Sequence, residues 1–151
     1  MRKQIEVISE LQTKKLGEII GKFAEKQMVI TMSGDLGAGK TTMTKGIASG
    51  LDITKVVTSP TFTICKIYNG RLPLYHFDAY RLENSHEDLG FEELLCADGL
   101  SVVEWPEYFK KELMNIDTLD IVLSVIDEDI RLISFEASNE KYDKIIKELI
   151  L

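Results

Sequence analysis

A chain of 151 residues and 17.1 kDa with 44% hydrophobic residues is of ordinary size for one domain and long enough to build one core, and no second domain is expected. Its formal net charge of -7 and pI near 4.9 repel polyanions, which disfavours unaided binding to RNA or DNA. No apolar run approaches the ~20 residues needed to span a bilayer, no leader-like segment opens the chain, and Cys65 and Cys96 sit in no metal-like spacing, so a soluble, cytoplasmic, single-domain protein over residues 1–151 with reduced thiols is expected.

Gln4 to Ile8 alternates as a short strand, and Ser9 with Gln12 three positions on forms a capping box that opens a helix. Leu16, Ile19, Ile20 and Phe23 then recur at helical spacing and should face the sheet. The apolar run Met28 to Met32 reads as a buried strand, and it leads directly into Gly34-Asp35-Leu36-Gly37-Ala38-Gly39-Lys40-Thr41, a complete G-x-x-x-x-G-K-T loop followed by a helical stretch through Ala48. That strand, loop, helix order is what a phosphate-binding loop requires. Glycines allow the backbone of Asp35, Leu36, Gly37, Ala38 and Gly39 to turn tightly and aim N–H groups at a phosphate at the helix N-terminus. Lys40 should reach the phosphate oxygens and the Thr41 hydroxyl should ligate Mg²⁺. Gly50 reads as the left-handed residue that stops this helix.

Beyond the loop, Pro60 biases Ser59 toward extended geometry, and Phe62 to Tyr68 and Leu72 to Phe77 read as two strands closed by Asn69-Gly70. Ser85 to Leu95 reads as two short helical pieces broken at Gly90, with Phe91, Leu94 and Leu95 buried; Leu100 to Glu104 is a buried strand; Trp105-Pro106 turns into a helix through about Met114. Leu119 to Ile126 and Ile130 to Glu136 form a second ribbon, and Asn139 to Leu151 an amphipathic helix. The expected fold is α/β: a mixed sheet of the P-loop NTPase kind flanked by helices, with parallel strands near the loop and an antiparallel ribbon at an edge.

Nucleotide hydrolysis needs a carboxylate near the metal and a group that orients or deprotonates water, and both belong at the C-terminal ends of strands beside the loop. Asp78 ends one such strand and is a candidate Mg²⁺ ligand. Glu104 ends another and is the candidate general base, with the metal as a second possible role. Thr61 carries a hydroxyl in a loop and could sense a γ-phosphate and its metal, as a GTPase switch segment does. His76 is expected to be a packed or half-exposed residue, Arg81 to pair with Glu83 or Glu87, and Trp105 to be a partly buried aromatic that walls the site or meets a partner.

The series Gly34 to Thr42, Ser59-Pro60-Thr61-Phe62, His76-Phe77-Asp78-Ala79-Tyr80-Arg81-Leu82, Glu87 to Glu93 and Val103-Glu104-Trp105-Pro106 resembles the TsaE (YjeE) family. The resemblance covers residues 34 to 106. It implies a small bacterial ATPase, using ATP and Mg²⁺, required for threonylcarbamoyladenosine in tRNA next to the anticodon. It also implies that the chain acts with TsaB and TsaD, meets tRNA only indirectly, and does not itself transfer the threonylcarbamoyl group. Residue by residue it implies phosphate and metal positions at Lys40 and Thr41, a further phosphate contact at Thr42, the switch threonine at Thr61, the metal-associated aspartate at Asp78 and the catalytic glutamate at Glu104 beside Trp105. Ala79 fills a position that is often larger in the family.

Three alternatives compete. A small-molecule kinase normally has an arginine-rich lid, whereas this chain has only Arg2, Arg71, Arg81 and Arg131. A GTPase should carry an Asn-Lys-x-Asp motif, which is absent. A nucleotide-dependent assembly module without significant turnover is the third.

Overall fold

The computed structural model describes residues 1–58, 64–82, 91–95 and 97–151. In chain order the strands are β1 (Arg2–Val7), β2 (Val29–Ser33), β3 (Cys65–Tyr68), β4 (Leu74–Asp78), β5 (Leu100–Glu104), β6 (Leu119–Val125) and β7 (Arg131–Ala137). The helices are α1 (Glu10–Phe23), α2 (Lys40–Gly50), α3 (Phe91–Leu95), α4 (Lys110–Leu113) and α5 (Asp143–Glu148).

Continuous apolar runs belong in the middle of a parallel sheet, where both faces are covered, and β2 and β5 sit there. The sheet order is β1-β7-β6-β2-β5-β4-β3. Strands β6, β2, β5 and β4 run parallel; β3 pairs antiparallel with β4 on one edge, and on the other β7 pairs antiparallel with β6 and β1 antiparallel with β7, so that β1 runs in the direction of the centre again. The expected mixed α/β sheet is therefore correct, with two corrections: both edges are antiparallel, and the first strand of the second ribbon, β6, joins the parallel centre beside β2. One face of the sheet, with Ile30, Met32, Leu74 and Val102, packs on α1, α2 and α5; the other, with Val29, Tyr75, Phe77 and Val103, packs on α3 and α4.

Helix α1 starts as its sequence dictates. The Gln12 N–H donates to Ser9 Oγ at 3.2 Å, while the Gln12 side chain reaches past the cap to accept from the Ile8 N–H at 2.9 Å. Leu16 and Ile20 are fully buried, and Ile19 and Phe23 pack at the core margin. Several boundaries differ from expectation: β1 runs over Arg2–Val7, and the helix expected through about Met114 is a 3₁₀ turn, Pro106–Tyr108, followed by α4. Gly50 is the last residue of α2, and the left-handed position falls on Asp52 (φ 61°). Asn69-Gly70 is part of a longer connection, residues 69–73, because Tyr68 pairs with Leu74. The C-terminal segment is a 3₁₀ turn, Glu140–Tyr142, followed by α5, which ends at Glu148.

Gly50 has a different reason to be glycine. A Cβ added at Gly17, Gly21, Gly46 or Gly50 would collide with a facing backbone carbonyl, of Met43, Ile47, Lys14 and Glu18 respectively. The two helices thus touch backbone to backbone along a seam of i, i+4 glycines. Arg71, on the β3–β4 connection, closes the end of α1 by donating from its guanidinium to the carbonyls of Gly21 (2.7 Å) and Ala24 (3.0 Å). Gly46→Ala is expected to destabilise the protein by about 1–3 kcal/mol, the usual cost of overpacking a tight contact. Chemical denaturation should show it as a lower midpoint, and an unchanged midpoint would mean the helices separate freely.

Candidate functional site

The loop between β2 and α2 takes the shape its glycines permit. Gly39 caps α2 at φ 109°, and Gly37 lies at φ 82° with, among the described residues beyond its chain neighbours, no atom within 4 Å of where a Cβ would stand. Positive φ, not crowding, is what Gly37 supplies, and the space above it is open. The Ala38 N–H donates to the Asp35 carbonyl at 3.0 Å, so in this structure it fixes the turn and is not turned outward. Asp35 and Leu36 are exposed on the loop, and Ala38 is buried beneath it.

Lys40 opens α2 and is only 8% exposed. Its ammonium lies 4.1 Å from the centroid of the Trp105 ring, a cation–π contact. Trp105 reaches that position because it takes a left-handed backbone (φ 58°) immediately after β5, a strained geometry for a bulky residue. Tyr80 and Tyr108 stack around the same indole at 5.1 and 6.5 Å between centroids, forming one aromatic wall.

Opposite the loop stand the carboxylates of two neighbouring parallel strands. Register pairs Asp78 with Glu104, so both strand-end acids emerge side by side. Asp78 Oδ1 accepts the Tyr80 N–H at 3.2 Å. Glu104 is 5% exposed, and its Oε2 lies 2.8 Å from Nε2 of His76, a fully buried residue two positions before Asp78 on the same face of β4. The packed histidine expected from the sequence is thus in direct contact with the candidate base. Its link to Glu104 had no local signal.

A cleft of about 290 Å³ is lined by Leu36, Gly37, Gly39, Lys40, Thr41 and Thr42 on one side and by Asp78, Glu104 and Trp105 on the other, with Glu10 of α1 at its margin, a residue given no part in the site from the sequence. Of the residues singled out from the sequence, these are brought together. Asp35 does not line the cleft, and Thr61 lies outside the described residues, as do Cys96 and the expected partners of Arg81, Glu83 and Glu87. A second cleft of about 510 Å³ lies across the loop, sharing Glu10, Gly37, Gly39 and Thr42. It is walled by Ile8, Ser9 and Thr13 from the start of α1 and by Glu128, Asp129 and Arg131 near the β6–β7 turn. Arg131 donates to the Asp127 carbonyl (2.8 Å) and weakly to Gly37 (3.4 Å), tying this wall to the loop. None of these wall residues was expected at the site from the sequence, because nothing near residue 131 points back to residue 37.

The metal donors this arrangement offers are hard oxygens, from Thr41, Asp78 and Glu104. Among the described residues no group of three or more His, Cys, Asp or Glu could hold a metal by itself. That set suits Mg²⁺, which keeps waters and takes one or two carboxylates plus phosphate oxygens, and does not suit a dedicated protein cage. Burial pushes the Cys65 thiol up to about 11, which disfavours its thiolate form. Among the described residues, no helix is long and apolar enough to cross a membrane.

Comparison with known proteins agrees with the fold. The family model described as "Threonylcarbamoyl adenosine biosynthesis protein TsaE" matches residues 7–133. The tRNA threonylcarbamoyladenosine biosynthesis protein TsaE of Bacillus subtilis (strain 168) is 46% identical over 139 residues, 91% of this chain and 87% of the relative. Its namesake from Treponema pallidum (strain Nichols) is 40% identical over 128 residues, 83% of this chain and 94% of the relative. The crystal structure of YdiB from the same Bacillus species superposes with a TM-score of 0.84 at 37% identity, covering 99% of this chain and 94% of that one.

Proposed function

Because the chain belongs to the TsaE family, we propose that it serves tRNA threonylcarbamoyladenosine biosynthesis as a Mg²⁺-dependent ATPase, residues 1–151 acting as one cytoplasmic nucleotide-binding unit. The observation that carries this reading is the single cleft in which the Gly37–Thr42 loop faces Asp78 and Glu104. In it the loop and the N-terminus of α2 bind the phosphates, and Lys40 leaves the Trp105 ring to pair with their oxygens. Mg²⁺, when bound through Thr41 and Asp78, supplies neutralisation of phosphate charge. Glu104 takes the proton of the attacking water beside the aromatic wall of Tyr80, Trp105 and Tyr108. The nucleoside lies in the second cleft, which shares Thr42 with the first, against Ile8, Ser9, Thr13 and Arg131.

Asp78→Asn tests the metal half of this reading. The amide oxygen can still accept the Tyr80 N–H, so the local turn survives. The Mg²⁺ concentration for half-maximal hydrolysis should rise about tenfold or more, in line with losses seen when a metal-site group is neutralised. Parental Mg²⁺ dependence would take Asp78 off the metal.

With a net charge of -7 the chain is unsuited to grip tRNA alone, so partners of the TsaB and TsaD type must supply the RNA contact and the transfer chemistry. Turnover of the isolated protein should be slow and should rise when TsaB and TsaD are added. By linkage, ATP should change the affinity for those partners by the same coupling energy, of order 1–3 kcal/mol. The deciding experiment is phosphate release from ATP with and without purified partners, beside partner affinity with an ATP analogue, ADP or no nucleotide. Fast unassisted hydrolysis together with nucleotide-indifferent partner binding would point instead to a free-standing phosphotransferase.

A further inference from the structure

We propose that His76 is a positioning residue, which holds the Glu104 carboxylate in one orientation so that its second oxygen faces the cleft. The inference rests on the role given to Glu104 above. It starts from a cost: an imidazole in the middle of β4, fully buried, loses its hydration on both nitrogens, and only one of them recovers a partner. That partner is Glu104 Oε2, at 2.8 Å, whereas Nδ1 has none among the described residues. An apolar side chain would fill this strand position without the orphaned nitrogen, so packing alone does not account for the choice of histidine.

The geometry gives the ring a definite task. An ionised carboxylate can only accept, so the nitrogen facing it carries the proton, and the Nε2–H tautomer donates to Oε2. Glu104 is the last residue of β5, and the chain turns left-handed at Trp105 directly after it. Glutamate has three rotatable side-chain bonds, and at the end of a strand it needs a lateral donor to be held in one rotamer. The parallel register supplies one, because His76 stands two residues before Asp78, which pairs with Glu104, and its side chain shares their face of the sheet.

The test compares His76→Leu with His76→Gln, whose amide N–H₂ can reach the carboxylate, in the parent and in Glu104→Gln. His76→Leu should lower kcat about 10- to 100-fold, the usual loss when a group that orients a site residue is removed, with the KM for ATP nearly unchanged. His76→Gln should recover most of that loss. In the Glu104→Gln background His76→Leu should cost little more, because the residue acts only through Glu104. Nitrogen NMR of the nucleotide-free protein supplies a readout independent of turnover. Of the two histidines, the signal missing in His76→Gln should be that of an Nε2–H tautomer, and Glu104→Gln should shift it. An Nδ1–H tautomer, or an equal kcat loss in both backgrounds, overturns the proposal. Parental kcat in His76→Leu beside an inactive Glu104→Gln removes this inference alone, whereas parental kcat in Glu104→Gln removes the role of Glu104 and this one with it.

Discussion

Lys40→Ala is expected to leave the protein folded and nearly unable to hold ATP. The ammonium is buried against Trp105 in the nucleotide-free structure, where a cation–π contact contributes about 1–2 kcal/mol and the desolvation of the charge offsets it. Folding therefore loses little. Binding loses much more, because Lys40 is the only cationic side chain in the loop, and its removal leaves the phosphates to backbone dipoles. Two charge-assisted hydrogen bonds at roughly 1.5–3 kcal/mol each translate into a drop in affinity on the order of 10²- to 10⁴-fold. A calorimetric titration with ATP and Mg²⁺, alongside a thermal melt, separates the two effects. Parental affinity in a folded variant would remove the nucleotide from this loop.

Glu104→Gln should show the opposite partition: ATP bound, and turnover lowered by about 10²- to 10⁴-fold, the range for loss of a general base. Glutamine is the informative replacement because it keeps the length of the side chain and an oxygen that can accept from His76 Nε2. The 5% exposed position should thus stay packed. Single-turnover measurements with partners present give the chemical step directly. Near-parental rates would end the assignment of the base, and loss of ATP binding would mark Glu104 as a structural carboxylate.

How far the sequence could be read depended on the range of each interaction. The phosphate loop was legible because its geometry is set within eight residues by glycines whose φ values no other residue adopts readily, and Gly37 and Gly39 take such values. Asp78 and Glu104 were legible as the polar ends of apolar strands, and the Ser9 cap as a pattern over four residues. The contact of His76 with Glu104 was not, since it spans 28 residues and exists only once β4 and β5 take one particular register. Arg131 meets the loop across 94 residues for the same reason. Gly50 failed differently. Its local signal, a glycine near a helix end, was real, but the tertiary contact with Glu18 decides its use.

The glycine seam between α1 and α2 makes the two helices a caliper of fixed span. One jaw carries Lys40, Thr41 and Thr42; the other begins at Ser9 and Thr13, on the far wall of the larger cleft. Along the four glycines their separation is set by main chain meeting main chain, which leaves no side chain there to repack and widen or narrow it. Adjustment to a bound molecule or a docked partner must then come from outside the caliper. The residues that flank the smaller cleft from other elements are Asp78, Glu104 and Trp105, with Tyr80 and Tyr108 behind them. Of these, Glu104 is tied to His76, which leaves the aromatic corner of Trp105, Tyr80 and Tyr108 to adjust.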